Sequence, residues 1–303
     1  MISFRYHIVS IIGIFLAIAL GVVIGASALN GAVVGDLRRQ VSDLKNQNAA
    51  QTSSNTTLRA QAGNADQLAH AFAGKIAGGA LTKKTVVILG APGASSTDKD
   101  AAAAAVASAG GQVTARLQLS KTFIDPQHAT DIRSLATNSG VHPVGLQLPQ
   151  TDNAGTLSGS LLGFVLFGKG QATDLTQVLA GFSGLAMVKV EQGTPASGSL
   201  LLLVAPGAVA GDSSGPMLLA MAKQLQATGP TVVLGDATSA RNGLIALIRG
   251  DTDAKAAVST VDDADSDLGQ LTTALVAAEA AAGRPGQFGT GANVDALLPG
   301  VDG

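Results

Sequence analysis

The chain has 303 residues, with 19 basic and 21 acidic side chains and a formal net charge of −2, which leaves no basic footprint for nucleic acid. It has no cysteine, so disulfides, thiolate nucleophiles and thiolate metal sites are excluded, while the redox compartment stays undecided. Aromatic residues make up 3 %, so the core must be built from Ala, Val, Leu and Ile, and a base- or sugar-stacking platform is disfavoured.

Ile8 to Leu29 runs for about 22 residues without a charge, long enough to cross a hydrocarbon core as one helix. Gly13, Ala17, Gly21 and Gly25 recur at every fourth position and line one helix face, where a second helix backbone can approach closely. Residues 1–32 therefore read as a transmembrane signal-anchor with a helix-pairing face. Cleavage at Ala26-Ser27-Ala28 is the competing reading, but the apolar run exceeds the usual signal-peptide length. Flanking charge leaves topology open, because Arg5 stands alone before the run while Arg38, Arg39 and Lys45 follow it. The short N-terminal tail and the cleavage-like site both favour a globular part on the exported side.

Residues 33–80 read as a coiled-coil stalk. Val34, Val41, Asn48, Asn55, Ala62, Ala69 and Ile76 fall at a positions, and Leu37, Leu44, Gln51, Leu58, Ala65 and Phe72 at d positions, of one heptad register. The polar middle costs stability but can fix register and strand number. A small-residue membrane face continued by this seam predicts a parallel dimer. A partly helical linker across QNAAQTSSNTT, or a helix packed on its own domain, remains open.

An α/β domain is expected over 84–283. TVVILG from Thr85 is a continuous apolar run of the kind buried parallel strands show, followed by Ala91-Pro92-Gly93-Ala94 and an Ala-rich helix that ends at Gly110-Gly111. QVTARLQL reads as a second strand, and Asp125 to Leu135, Leu157 to Phe167 and Leu175 to Phe182 as helices. LSGSLLGFVLFG is apolar but too short to cross a membrane, so it reads as a core helix. LLLLVAPGA echoes VVILGAPGA, which predicts two similar βαβ halves in an open, mostly parallel sheet covered by helices. GLIALIRG, Gly243 to Gly250, reads as a further strand, Leu268 to Ala282 as the last long helix, and the Gly/Pro-rich tail 284–303 as poorly packed.

Chemistry-bearing motifs are sparse. The glycines and serines after the first strand lack the spacing of a phosphate loop, so an ordinary turn is the simpler reading. Asp262, Asp263, Asp265 and Asp267 could hold a hard cation, yet helix capping and dipole complementation are the default. His70, His128 and His142 lie far apart, and Met217 and Met221 share a helix face. No Ser/His/Asp arrangement can be assembled, so no enzymatic activity and no cofactor are expected.

The opening MISFRYHIVSIIGIFLAIALGVVIG, the strand-loop VVILGAPGA, the segment VSTVDD at Val258 to Asp263 and the FGTG at Phe288 to Gly291 together resemble the MctB family of actinobacterial copper transport proteins, over nearly the whole chain. The resemblance implies copper transport or homeostasis in the cell envelope, with outer-membrane association and copper as the ion handled. Related corynebacterial proteins imply an alternative: a coiled-coil scaffold or septal partner that regulates cell-wall remodelling at division. The residues themselves offer a poor soft-ligand set, with Met217, Met221, His128 and His142 the least implausible copper ligands. The strands also lack the alternation and aromatic girdles of a membrane barrel.

Overall fold

The computed structural model describes residues 4–209 and 214–300, with side chains throughout except at 4–5 and 27–33. The chain divides into two compact units, 1–64 and 65–303. Helix α1, Phe4–Ile76, is continuous through the polar QNAAQTSSNTT stretch. There the hydroxyls of Thr56 and Thr57 donate to the carbonyls of Thr52 and Ser53 at 2.9 and 3.1 Å, the back-bonding that threonine adopts inside a helix. Tyr6–Ala26, with a mean hydropathy of 2.9, is long and apolar enough to span a membrane. On it, a Cβ added at Gly13, Gly21 or Gly25 would touch nothing within 4 Å, and Val34, Leu37, Val41, Leu44 and Leu58 further along are exposed.

The second unit takes in the end of α1 and then β1 (Thr85–Gly90), α2 (Ser96–Ser108), β2 (Gln112–Leu119), α3 (Lys121–Ile124), a short 3-10 turn (Pro126–His128), α4 (Ala129–Thr137), α5 (Ala154–Leu166) and α6 (Ala172–Gly184). β3 (Val188–Gln192), β4 (Leu200–Val204), α7 (Ser214–Thr228), β5 (Thr231–Leu234), α8 (Ala237–Asn242), α9 (Leu244–Gly250), α10 (Thr252–Ala257), β6 (Ser259–Val261), α11 (Asp267–Ala281) and β7 (Gln287–Phe288) follow. The strands form one sheet in the order β3-β2-β1-β4-β5-β6-β7, parallel except for the edge strand β3.

Both faces of the sheet are covered, which is why its central strands are nearly continuous apolar runs. Val87, Leu89, Leu201, Leu203 and Val233 point into one core with Phe123, Ile132, Leu161, Phe182 and Met221 from the helices. Val86, Ile88, Leu202, Val204 and Leu234 point into the other, with Ala69 and Ala77 from the α1 end, Val106 of α2, and Leu271 and Ala274 of α11. Aromatic side chains are few, so the helices close in by using small residues. Gly155, Gly159 and Gly163 of α5 face α7, where an added Cβ would meet the Met217 carbonyl oxygen at 2.2 Å and that of Met221 at 2.9 Å.

One expectation fails here, and another holds only in part. Gly243 to Gly250 is not a strand: the buried residues Leu244, Ile245, Ile248 and Arg249 follow helical spacing, and they form α9. The tail past Arg284 is packed in part: Gly286, Gln287 and Gly289 are buried, with Gln287 in β7 and its side-chain amide donating to the carbonyls of Lys255 and Val258 at 2.9 and 2.8 Å, while most of 290–298 is exposed. The strands β3, β6 and β7 were not foreseen. They are short, and β3 exposes most of its side chains at the sheet edge.

Candidate functional site

The chemistry of the second unit gathers at the carboxyl ends of the parallel strands, where open α/β sheets place their ligands. Asp262 follows β6 and is completely buried against Arg249 of α9, whose guanidinium pairs with Asp262 Oδ2. The tail completes the knot, with the N–H of Thr290 donating to Oδ1 at 2.7 Å and that of Gly291 to Oδ2 at 2.9 Å. Arg249 also donates to Thr260 Oγ1 at 3.0 Å and to the carbonyls of Phe288 and Ala292 at 2.9 and 3.2 Å. Such a pair is tolerable inside a protein only when its remaining donors and lone pairs are met in this way. The glycines are dictated by the same carboxylate: Gly289 has φ +123°, and a Cβ there would sit 2.2 Å from Asp262 Oδ1.

The default reading of the aspartate cluster as helix caps is corrected for most of it. Ser266 caps α11 by accepting from the Gly269 N–H at 2.8 Å, and Asp267 alone of the cluster lies in the first helical turn. Asp66 of α1 adds a second cap, its Oδ1 accepting from the Leu268 N–H at 3.2 Å. Asp263, beside Asp262, is 8 % exposed and its Oδ1 has no hydrogen-bond partner among the described residues. Burial, reinforced by Asp262, Asp265 and Asp66, pushes its carboxyl up to about 6. Asp98, in the first turn of α2, is raised by burial and by the charges of Asp265 and Asp236. The neighbouring ammonium offers it no relief, since Lys99 is bound to Gln118 Oε1 at 2.7 Å and to Glu191 of β3.

The strand order reverses between β1 and β4, and their following loops Ala91-Pro92-Gly93 and Ala205-Pro206-Gly207 lie side by side. Gly93 has φ +85°, with its Cβ position 3.5 Å from Pro206. A crevice of about 600 Å³ opens there, lined by Pro92, Pro126, Pro206, Val209 and Leu218, with Lys121 and Asp125 at its polar side.

A family profile described as "Copper transport outer membrane protein, MctB" matches residues 1–299. The chain belongs to the MctB family. Proteins named "Copper transporter MctB" from Mycobacterium tuberculosis and Mycobacterium bovis are each 30 % identical over 305 residues, covering 96 % of this chain and 97 % of theirs. The Mycobacterium leprae protein of the same name is 27 % identical over 308 residues with the same coverage.

Within this MctB chain the proposed soft ligands lie on separate elements apart from the two methionines, which share α7. Met221 is buried in the core and Met217 packs against it, their spacing of one helical turn being that of the contacts with Gly155 and Gly159. His128 Nδ1 lies 2.7 Å from Asp131 Oδ2, and His142 places its two ring nitrogens 3.0 and 3.2 Å from the carbonyl oxygens of Ala136 and Leu146. Among the described residues no three His, Asp or Glu side chains converge closely enough to share a metal ion. Of the two aspartates singled out, Asp262 has its oxygens occupied and Asp263 does not. Arg249 and Asp98 escaped the sequence reading. A lone arginine in the apolar GLIALIRG was the signal for a buried pair, since such a charge demands a carboxylate.

Two outcomes test this geometry. Arg249→Met should destabilise the domain by about 3–5 kcal/mol, because it strands a buried carboxylate, and adding Asp262→Leu should recover much of that loss. Thermal unfolding of the two variants decides it, and a single variant as stable as the parent would contradict the role given to the pair. Asp263→Asn should act in the opposite direction. The raised acid favours folding fully below its unfolded pKa near 4 and loses that advantage as pH rises through about 6. In chelating buffer the amide variant should therefore be more stable at pH 8 by on the order of 2–3 kcal/mol. The gain should vanish at pH 4, and one that is constant across this range would count against the burial penalty.

Proposed function

We propose that this chain takes part in copper transport and copper homeostasis of the cell envelope, as a non-enzymatic protein anchored through Tyr6–Ala26 with its α/β domain on the extracytoplasmic side. The observation that carries the reading is the match to the MctB copper transport family across residues 1–299. The aliphatic span Tyr6–Ala26 supports the anchor. The sheet is covered by helices on both faces, so copper passage falls to assembled anchor helices or to a partner rather than to the sheet. A septal scaffold role draws no support from the relatives, whose printed names concern copper.

The assembly that fits is a parallel dimer. The open face of Gly13, Ala17, Gly21 and Gly25 can admit a second backbone, and the exposed Val34, Leu37, Val41, Leu44 and Leu58 continue it as a coiled-coil seam. The likeness between the β1-α2-β2 and β4-α7-β5 units, with their shared Ala-Pro-Gly loops, fits a domain built from two similar halves. The direct ligands Met217, Met221, His128 and His142 would need side-chain rearrangement or a partner to meet on one copper ion.

A strain lacking this chain should accumulate copper and lose copper tolerance, with cell length and septation unchanged. Unaltered copper content together with elongated cells would favour the scaffold instead. Leu37→Cys and Leu44→Cys, in a chain without native cysteine, should each crosslink to a dimer on oxidation in membranes, whereas Asn46→Cys on the outer face should not. Equal behaviour of all three would refute the seam.

A further inference from the structure

The sheet ends at β3, whose outer edge pairs with no other strand among the described residues. β3 runs antiparallel to β2, with Leu119 opposite Val188, Gln118 opposite Lys189 and Leu117 opposite Val190. The Ser120 N–H donates to the Met187 carbonyl at 2.9 Å, so Leu119 and Val188 form a non-hydrogen-bonded pair. Val188 and, by alternation, Val190 therefore turn their backbone N–H and C=O groups away from β2. The Ser183 hydroxyl of α6 takes the Val188 carbonyl at 3.0 Å, and the backbone groups of Val190 are left for a further strand. Side chains divide between the two faces. Val188 is buried in the core that holds α5 and α6, and Val190 packs against it. Glu191, the extra residue of a bulge, reaches the opposite face and binds Lys99 of α2. Alternation puts Lys189 on that same face, exposed and without an acid partner among the described residues. Beside Val190 an apolar groove of about 240 Å³ opens between the edge and α6, lined by Leu175, Leu179, Ala180 and Pro195.

We infer that β3 pairs antiparallel with β3 of a second copy of this chain about a two-fold axis at Val190, joining the two sheets into one. The charges select that register. With Val190 opposite Val190, each Lys189 lies opposite a Glu191, so the strand is its own electrostatic complement. The backbone agrees with it, because the outward-turned Val190 residues exchange N–H and C=O with each other. Lys189 and Glu191 then fall at non-hydrogen-bonded positions, where facing side chains come closest. Glu191 can accept the incoming ammonium: Lys99 holds its Oε1, while Oε2 lies 4.0 Å from the Arg116 Nε. An exposed lysine and a bulge ordinarily deter stray strands from an edge. Here the deterrent is selective, since a strand with an acid at the matching position cancels it and β3 is such a strand. On the other face the second Val190 closes over the apolar groove beside α6. This contact extends the assembly proposed above but uses neither the anchor nor the stalk, so the two readings can fail separately.

The test uses the full chain in native membranes, where Val190→Cys is the one cysteine present. Two such residues on the axis have Cα atoms about 5.5 Å apart, within reach of a disulfide, and should give a covalent dimer on oxidation or with a short bis-maleimide. Lys189→Cys, displaced from its own copy by two residues, should crosslink at least fivefold less, and Ala256→Cys on α10 should not crosslink. Adding Lys189→Glu to Val190→Cys sets acid against acid and should cut the dimer yield at least fivefold, while Lys189→Arg should preserve it. Lys189 is exposed, so both variants should keep the parent circular dichroism. No dimer from Val190→Cys with either reagent, in membranes where Leu37→Cys does crosslink, overturns the edge pairing and leaves the stalk standing. A yield indifferent to Lys189→Glu, or equal from Lys189→Cys and Val190→Cys, overturns the register. Crosslinks from Val190→Cys to a protein of another mass, without the self-dimer, would assign the edge to a foreign strand and refute the second copy.

Discussion

The interior ion pair between Arg249 and Asp262 is the constraint on which the far half of the sheet depends. An arginine and a carboxylate with almost no exposure are tolerable only if every remaining donor and lone pair is met. That requirement calls in Thr260 from β6, carbonyls from 288 and 292, and backbone N–H groups from 290 and 291. Three segments distant in sequence are therefore fixed by one charge. The FGTG run is best understood as the backbone that can come near enough to a buried carboxylate to solvate it. Glycine is needed there because any larger residue would intrude on the carboxylate oxygens.

A second constraint comes from composition. With so few aromatic rings, the cores on the two sides of the sheet are filled by aliphatic side chains and by helices brought close over glycine and alanine. The α5–α7 contact is the clearest case, where the backbone of one helix lies against the glycines of the other. The end of α1 serves the same purpose on the opposite face, where Ala69 and Ala77 are buried beside Leu81 and Val106. Those last turns belong energetically to the sheet.

The parts of this architecture that were legible are those whose cause is local. TVVILG and LLLLV announce strands buried on both faces, and the Ala-Pro-Gly turns after them mark where the chain leaves the sheet. GLIALIRG misled because a short apolar run has no decisive period, and its helical nature is visible only once Leu244, Ile245, Ile248 and Arg249 are seen to be its buried set. The division of labour between Asp262 and Asp263 was not legible at all. Adjacent aspartates look equivalent in sequence, and only the arrival of Arg249 and the tail separates a fully paired carboxylate from an isolated one. The packed part of the tail, Gly286 to Gly289, was missed for the same reason. Its glycines suggest looseness in isolation, while their purpose is close approach to a group 28 residues earlier.

The order of the knot along the chain has a consequence for biosynthesis. Arg249 and Asp262 leave the ribosome before the 288–292 segment that completes their hydrogen bonding, so an emerging chain carries an unfinished charged pair until that stretch has been made. Closing the far edge of the sheet is thereby a late event, and the nascent domain stays easier to unravel in the interval.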